Sequence, residues 1–96
     1  MEQPKFAVYV LYSLKDHLFY IGYTANFIRR MSEHENGRSK STACRRPFVC
    51  FFVEYYVSQS DALRRELYFK TSTGKRVLRL MLTESLLELG KTLNRQ

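Results

Sequence analysis

Two aromatic, β-branched segments, separated by three polar residues and followed at once by helix signals, constrain this chain more than any other feature. Residues 6–14 and 18–24 have strand composition, and Lys15-Asp16-His17 between them is turn material, so the pair is expected to form a β-hairpin. Side chains alternate along a strand, so the length of the connection decides which residues share a face. A two- or four-residue connection puts Tyr9, Leu11 and Ser13 on one face with Tyr20, Gly22 and Thr24. A three-residue connection would instead group Tyr9 with Ile21 and Tyr23. The first register is the expected one, and it brings two phenols together beside a glycine.

Asn26 is a good N-cap, and residues 27–36 read as a helix closed by Gly37. Phe27 and Met31 suit its buried side, while Arg30 and His34, four apart, lie next to each other. Arg29 and Glu33 are expected to pair on the solvent side, an interaction of a few tenths of a kcal/mol. Residues 38–46 lack apolar periodicity and read as a basic loop. Pro47 opens residues 48–57, rich enough in Phe, Val and Tyr to suggest a strand buried on both faces. Ser58 with Asp61 resembles a capping box ahead of a helix over 60–71, which Thr73-Gly74 is expected to break. A further helix runs from near Lys75 to at least Leu82, and residues 83–93 form a leucine-rich helical tail interrupted at Gly90. The order ββαβαα plus a C-terminal helix predicts an α+β fold: a small antiparallel three-stranded sheet flanked by helices, one domain across residues 1–96.

Charge narrows the partners. Sixteen Lys and Arg against nine Asp and Glu leave a net +7, which points to a polyanion. Arg38, Lys40, Arg45 and Arg46, interleaved with Ser39, Ser41 and Thr42, form the expected track for backbone phosphates, with Arg76 and Arg79 as an extension. The plainer reading of that loop is a solvated surface. If it neutralises ~5 phosphates, the logarithm of affinity falls against log salt with a slope of about −4 to −5. Cys44 and Cys50, six apart, match no zinc spacing, and His17 and His34 are badly placed to complete one, so reduced thiols are expected. No run approaches the ~18 apolar residues of a membrane span, and the first residues lack a secretion signal, which predicts a cytoplasmic protein.

Three groups could carry chemistry. Tyr9 and Tyr20 are good strand formers, but Gly22 beside them marks a close approach by a backbone or a ligand. A phenol serves as a general base only when cations pull its pKa below the usual ~10, and the next element supplies Arg30 and His34. Arginine holds phosphate oxygens in a bidentate fork and stays charged. Glu66 and Lys70 make an ordinary i,i+4 helix pair, yet Ala62, Leu63, Leu67 and Phe69 surround them, so Glu66 is expected on the sheet-facing side. There it could hold one divalent cation through oxygen and waters; a lone carboxylate disfavours a two-metal site.

These residues, in this order, resemble a GIY-YIG nuclease domain. The likeness is to small single-domain members related to the catalytic module of the bacterial excision-repair incision subunit and of certain homing endonucleases. Ala7-Val8-Tyr9 stands at the first motif, with Ala7 and Val8 in place of Gly and Ile, and Tyr20-Ile21-Gly22 matches the second in full. Arg30 and His34 fit the Arg-x-x-x-His helix, and Glu66 takes the place of the metal-binding glutamate. The likeness covers roughly residues 4–82 and leaves 83–96 outside.

The resemblance implies a metal-dependent endonuclease, using Mg²⁺ or Mn²⁺ on Glu66, that hydrolyses DNA phosphodiester bonds. It implies structure-specific cleavage linked to DNA repair or recombination. Tyr9, Tyr20, Arg30, His34 and Glu66 become the catalytic set, and Gly22, Arg38, Lys40, Arg45, Arg46 and Lys70 the nucleic-acid contacts. Tyr9 or His34 would activate water, Arg30 would neutralise the phosphate, and Lys70 would lower a phenol pKa. The expected partner is nucleic acid, DNA rather than RNA, with no membrane, in a monomer or weak dimer, alone or in a larger repair assembly. The alternatives are a nucleic-acid-binding module of the same fold with weak or no cleavage, and a protein-interaction domain using the leucine-rich tail.

Overall fold

The computed structural model describes residues 3–94, so residues 1–2 and 95–96 of the expected single domain lie outside the described residues. Its first two strands, β1 (Phe6–Ser13) and β2 (Phe19–Thr24), form the expected hairpin, with Tyr9 opposite Gly22 and Leu11 opposite Tyr20. The Ser13 N–H donates to the Leu18 carbonyl at 3.0 Å, which leaves residues 14–17 as a four-residue connection. Two polar side chains hold that turn: Ser13 Oγ accepts from the backbone N–H groups of Lys15 and Asp16, and Asp16 accepts from that of Leu18. Tyr9 therefore shares a face with Tyr20.

Helix α1 (Phe27–Glu35) follows, with the Asn26 side chain accepting from the Arg29 N–H and Gly37 at φ 74° just past its end. A 3₁₀ turn (Ala43–Arg45) precedes β3 (Phe48–Tyr56). Helices α2 (Gln59–Lys70), α3 (Ser72–Met81) and α4 (Thr83–Asn94) complete the described chain. The three strands form one antiparallel sheet in the order β2-β1-β3, which is the expected α+β architecture.

Strand β1 is central, and Ala7 through Leu11 are all buried, whereas no residue of β3 is fully buried. The expectation that β3 is covered on both faces is thus corrected: its apolar composition equals that of a central strand, but it takes an edge. The pairing slips by one residue between Val10 and Leu11, leaving Phe51 unpaired, and its ring stacks on Tyr12 at 5.4 Å between centroids.

One sheet face carries the hydrophobic core. Val8, Val10 and Ile21 meet Ala62, Phe69, Leu78 and Leu82 from α2, α3 and the residue after α3, with Phe52 edge-on to Phe69. The break between α2 and α3 falls at Thr71, not at Gly74. The Thr71 residue ends α2 and caps α3 through its hydroxyl, which accepts from the Gly74 N–H at 3.0 Å. Gly74 lies inside the first turn of α3, where a Cβ would overlap the backbone carbonyl of Tyr68. Helix α4 continues through Gly90 without interruption and buries no residue fully. No helix among the described residues is long and apolar enough to cross a membrane.

Candidate active site

The other sheet face carries the polar cluster, and Gly22 explains how it forms. The Tyr9 ring lies across β2 at Gly22, where any Cβ would overlap its hydroxyl-bearing end. The glycine expected to admit a ligand is instead filled by Tyr9 itself. Passing over it, Tyr9 places its hydroxyl 2.7 Å from His34 Nε2 in a buried hydrogen bond. The Tyr20 ring packs edge-on against the same imidazole at 5.3 Å, and Phe27 from α1 supports Tyr9 at 6.2 Å.

The segment between α1 and the 3₁₀ turn closes over these groups with three hydroxyls. Thr42 Oγ1 lies 2.7 Å from His34 Nδ1. Ser39 Oγ accepts from Arg30 at 3.3 Å, and Ser41 Oγ lies 3.1 Å from Ser39 Oγ and 3.2 Å from the Tyr20 hydroxyl. Arg30 also donates to Glu33 at 3.1 Å. This pairing replaces the expected one between Arg29 and Glu33, because Arg30 points inward where the carboxylate can reach it. With these two bonds spent on Glu33 and Ser39, the guanidinium still stands beside both phenols at longer range.

Burial sets the protonation states. It pushes the Tyr9 phenol up to about 12; Arg30 works to lower it, while Tyr20 and the Glu66 charge add to the rise. The expectation of a phenol made acidic by neighbouring cations is therefore corrected: desolvation outweighs the guanidinium, and Tyr9 is a neutral phenol at neutral pH. Burial also pulls His34 down to about 4, with the Arg30 charge acting in the same direction and Glu33 against it. Burial would lower Arg30 too, but the nearby Tyr9 oxygen and the Glu33 carboxylate bonded to it outweigh that effect and push its pKa above the ordinary value. The cluster is thus a neutral phenol, a neutral imidazole and a fixed cation.

Glu66 approaches from α2 with its side chain 16% exposed, bonded through Oε2 to Lys70 at 3.2 Å. Of the apolar residues that led to the sheet-facing expectation, Ala62 and Phe69 are buried while Leu63 and Leu67 are exposed; Glu66 itself is largely covered and its charge bears on Tyr9. No group of three or more His, Cys, Asp or Glu among the described residues could enclose a metal. One carboxylate suits Mg²⁺ or Mn²⁺ held mostly by water, because Mg²⁺ dehydrates reluctantly and commonly keeps several waters beside one or two carboxylates. The donor set fits a hydrated ion and would not fit a dehydrated one. Lys70 is held by Glu66, and the cation that acts to lower the Tyr9 pKa is Arg30.

The basic loop divides into two. Arg45 pairs with Asp16 at 2.6 Å, holding that carboxyl down to about 2, and its guanidinium also donates to the Leu18 carbonyl. Arg46 donates to the Ala43 and Glu35 carbonyls. These two cations anchor the loop, while Arg38 and Lys40 stay exposed. Arg79 lies over the Phe19 ring at 5.0 Å, in the helical layer across the sheet, so it does not extend that patch. Thr42, Ser39, Ser41 and Glu33 join the site, a role that the sequence did not assign to them. The one signal was a run of hydroxyls between cations.

A family model described as the GIY-YIG catalytic domain matches residues 5–79. The chain is 37% identical over 78 residues to the UPF0213 protein SH2523 of Staphylococcus haemolyticus, covering 80% of this chain and 94% of that protein. It is 35% identical over 77 residues to the UPF0213 protein YazA of Bacillus subtilis, covering 79% and 77%. The solution NMR structure of the UPF0213 protein BH0048 from Bacillus halodurans superposes with a TM-score of 0.51 at 32% identity, covering 79% of this chain and 83% of that one. The matched span ends within α3, and α4 lies beyond it.

Proposed function

The chain belongs to the GIY-YIG family, and from that premise we propose that it is an endonuclease that hydrolyses DNA phosphodiester bonds one strand at a time. The observation that carries this reading is the 2.7 Å bond from the Tyr9 hydroxyl to His34 Nε2, beside a permanent guanidinium. Packing alone has no use for a buried phenol–imidazole pair next to a cation. Hydrolysis of a phosphodiester uses all three.

Arg30 receives a phosphate oxygen through the donors that Glu33 and Ser39 leave free, since a guanidinium has more N–H groups than these two bonds consume. Tyr20, braced by Ser41, borders the same space and orients the phosphate. The water oxygen forms the new bond to phosphorus with its own lone pair. Its proton passes to the Tyr9 oxygen as the Tyr9 proton passes to His34 Nε2. The ester bond breaks, and the departing oxygen keeps the electron pair and takes a proton from solvent. Arriving phosphate charge offsets Arg30, which removes part of what holds His34 neutral and lets it accept. A Mg²⁺ or Mn²⁺ on Glu66 would supply positive charge for the leaving side. Exposed Arg38 and Lys40 contact the flanking backbone. Structure-specific cleavage in repair or recombination is the role that we assign to such a nick.

Relaxation of supercoiled plasmid with Mg²⁺ or Mn²⁺ tests this. The wild type is expected to nick, while Arg30→Ala and Glu66→Ala still bind DNA and lose cleavage by about 100- to 1,000-fold. Full activity in Glu66→Ala would remove the metal assignment. Binding without nicking on branched, flap and single-stranded substrates would replace the enzyme with a binding module.

A further inference from the structure

We infer that the aromatic rings at the hairpin end of the sheet, on the side of α3 and its cations, bind an unpaired strand of DNA by stacking its bases. The surface lies apart from the active face and names the substrate class of the proposed nuclease. It rests on that reading only for the consequence in cleavage.

Tyr12 and Phe19 are paired across β1 and β2, on the sheet side opposite Tyr20. With Phe51 they form one cluster: Tyr12 and Phe51 stack at 5.4 Å between centroids, and Phe19 meets both edge-on at 5.9 and 6.2 Å. None of the three is fully buried, and His17, 3.3 Å from the Tyr12 hydroxyl, is exposed, so the cluster presents aromatic surface to solvent. Every base has a face that such rings can stack on. Duplex DNA keeps those faces covered by its own stacking, so the rings select an unpaired strand.

The charges beside the rings are open. Arg79 lies over Phe19 at 5.0 Å, and Lys75 and Arg76 stand one turn before it on the same side of α3. All three are exposed. Arg45 and Arg65 also lie over rings, but each is neutralised by a carboxylate, Asp16 and Glu54 respectively. Among the described residues, Lys75, Arg76 and Arg79 have no such ion pair. Packing on a ring does not require an arginine to keep its charge uncompensated. A ligand that carries phosphates and bases together uses both the cations and the rings.

The sheet order joins this surface to the active face. β2 is an edge strand, and its neighbours Phe19 and Tyr20 point to opposite faces. A nucleic-acid strand that leaves the Tyr20 side reaches Phe19 by rounding that one strand. A duplex on the active face with an unpaired arm carried over the edge occupies both surfaces at once, and a branched or flapped DNA has that shape.

The test measures binding of a labelled oligothymidine and of a blunt duplex by fluorescence anisotropy, in EDTA so that nothing is cleaved. Arg79→Gln and Tyr12→Leu are each expected to weaken oligothymidine binding about 5- to 20-fold and duplex binding by less than about two-fold. Tyr12→Phe keeps the ring and is expected to bind as wild type. The combined variant Lys75→Gln, Arg76→Gln, Arg79→Gln changes exposed positions alone, so it keeps its fold even where Tyr12→Leu does not. It is expected to flatten the slope of log affinity against log salt for oligothymidine by about 2, as the loss of three phosphate contacts requires. On a flapped substrate, Arg79→Gln is expected to raise KM about 5- to 20-fold with little change in kcat. Oligothymidine binding that is unchanged in these variants, or that weakens only in step with duplex binding, overturns the inference. So does a loss confined to the charge variants with Tyr12→Leu folded and binding as wild type. Selective loss of oligothymidine binding in a protein that nicks no substrate supports the surface and overturns the nuclease reading.

Discussion

The two faces of the sheet are made from the same three strands and organised by different forces. On the α2–α3 face, Val8, Val10 and Ile21 meet Ala62, Phe69, Leu78 and Leu82, and what holds them is apolar area removed from water. On the α1 face the contacts are directed bonds: Tyr9 to His34, His34 to Thr42, Tyr20 to Ser41 and Arg30 to Ser39. The first face tolerates exchange among residues of like volume. The second depends on the placement of single protons. A small domain has little core to spare, so the difference shows how it separates the work of folding from the work of a site: stability is concentrated on one face, and the polar groups that burial penalises on the other.

Substitutions that strike one face and not the other test this division. Phe69→Ala removes a fully buried ring from the apolar side and is expected to cost about 3–5 kcal/mol, read as a lowered urea midpoint with an unchanged m-value. At a temperature where that variant is still folded, its kcat should match the wild type. If kcat fell in step with stability, the two faces would not be separable.

Gly22→Ala strikes the boundary. Its added Cβ meets the hydroxyl end of Tyr9, so the ring must move. A stability loss of about 1–3 kcal/mol is expected. The bond to His34 should also break, abolishing cleavage and releasing the His34 ring signals from their wild-type positions. Unchanged activity in a folded Gly22→Ala protein would detach Tyr9 from the chemistry.

The next effect is a matter of pH. His34 is held near pKa 4 in the fold, against about 6.5 when unfolded. The unfolded chain therefore binds the proton first on acidification. Stability from this group is complete above pH ~6.5 and is lost as the pH falls from there through about 4, by on the order of 1–2 kcal/mol. Chemical denaturation at stepped pH, with His34→Gln as the variant lacking this slope, measures it. An identical slope in both proteins would mean that the imidazole is not buried neutral. The smallest effect is expected away from both faces: Leu87→Ser on α4, at a position 55% exposed, should change stability by less than ~0.5 kcal/mol and leave cleavage unaltered.

Local chemistry wrote much of this architecture into the sequence. The hairpin and its register follow from alternation and a four-residue connection, so that Tyr9 and Tyr20 share a face was readable from the chain alone. The cap at Asn26, the glycine after α1 and the cap at Ser58 also appear where the residue types demand them. The site was legible where spacing fixes it, as with Arg30 and His34 one turn apart, and through the resemblance that singled out Glu66. Its protonation states were not legible, because burial of Tyr9 and His34 depends on everything packed around them.

What the sequence determined by itself is the set of elements and the parity that groups Tyr9 with Tyr20. Both follow from periodicities of one to four residues. Only the tertiary structure decided that β1 rather than the equally apolar β3 is central, that Gly22 makes room for a ring and not a ligand, that Arg30 turns inward to Ser39, and that Thr42 meets His34. Sheet order and loop closure join residues far apart in the chain. No local preference specifies such pairs; the shared exclusion of water and the need to pair each buried polar group select them.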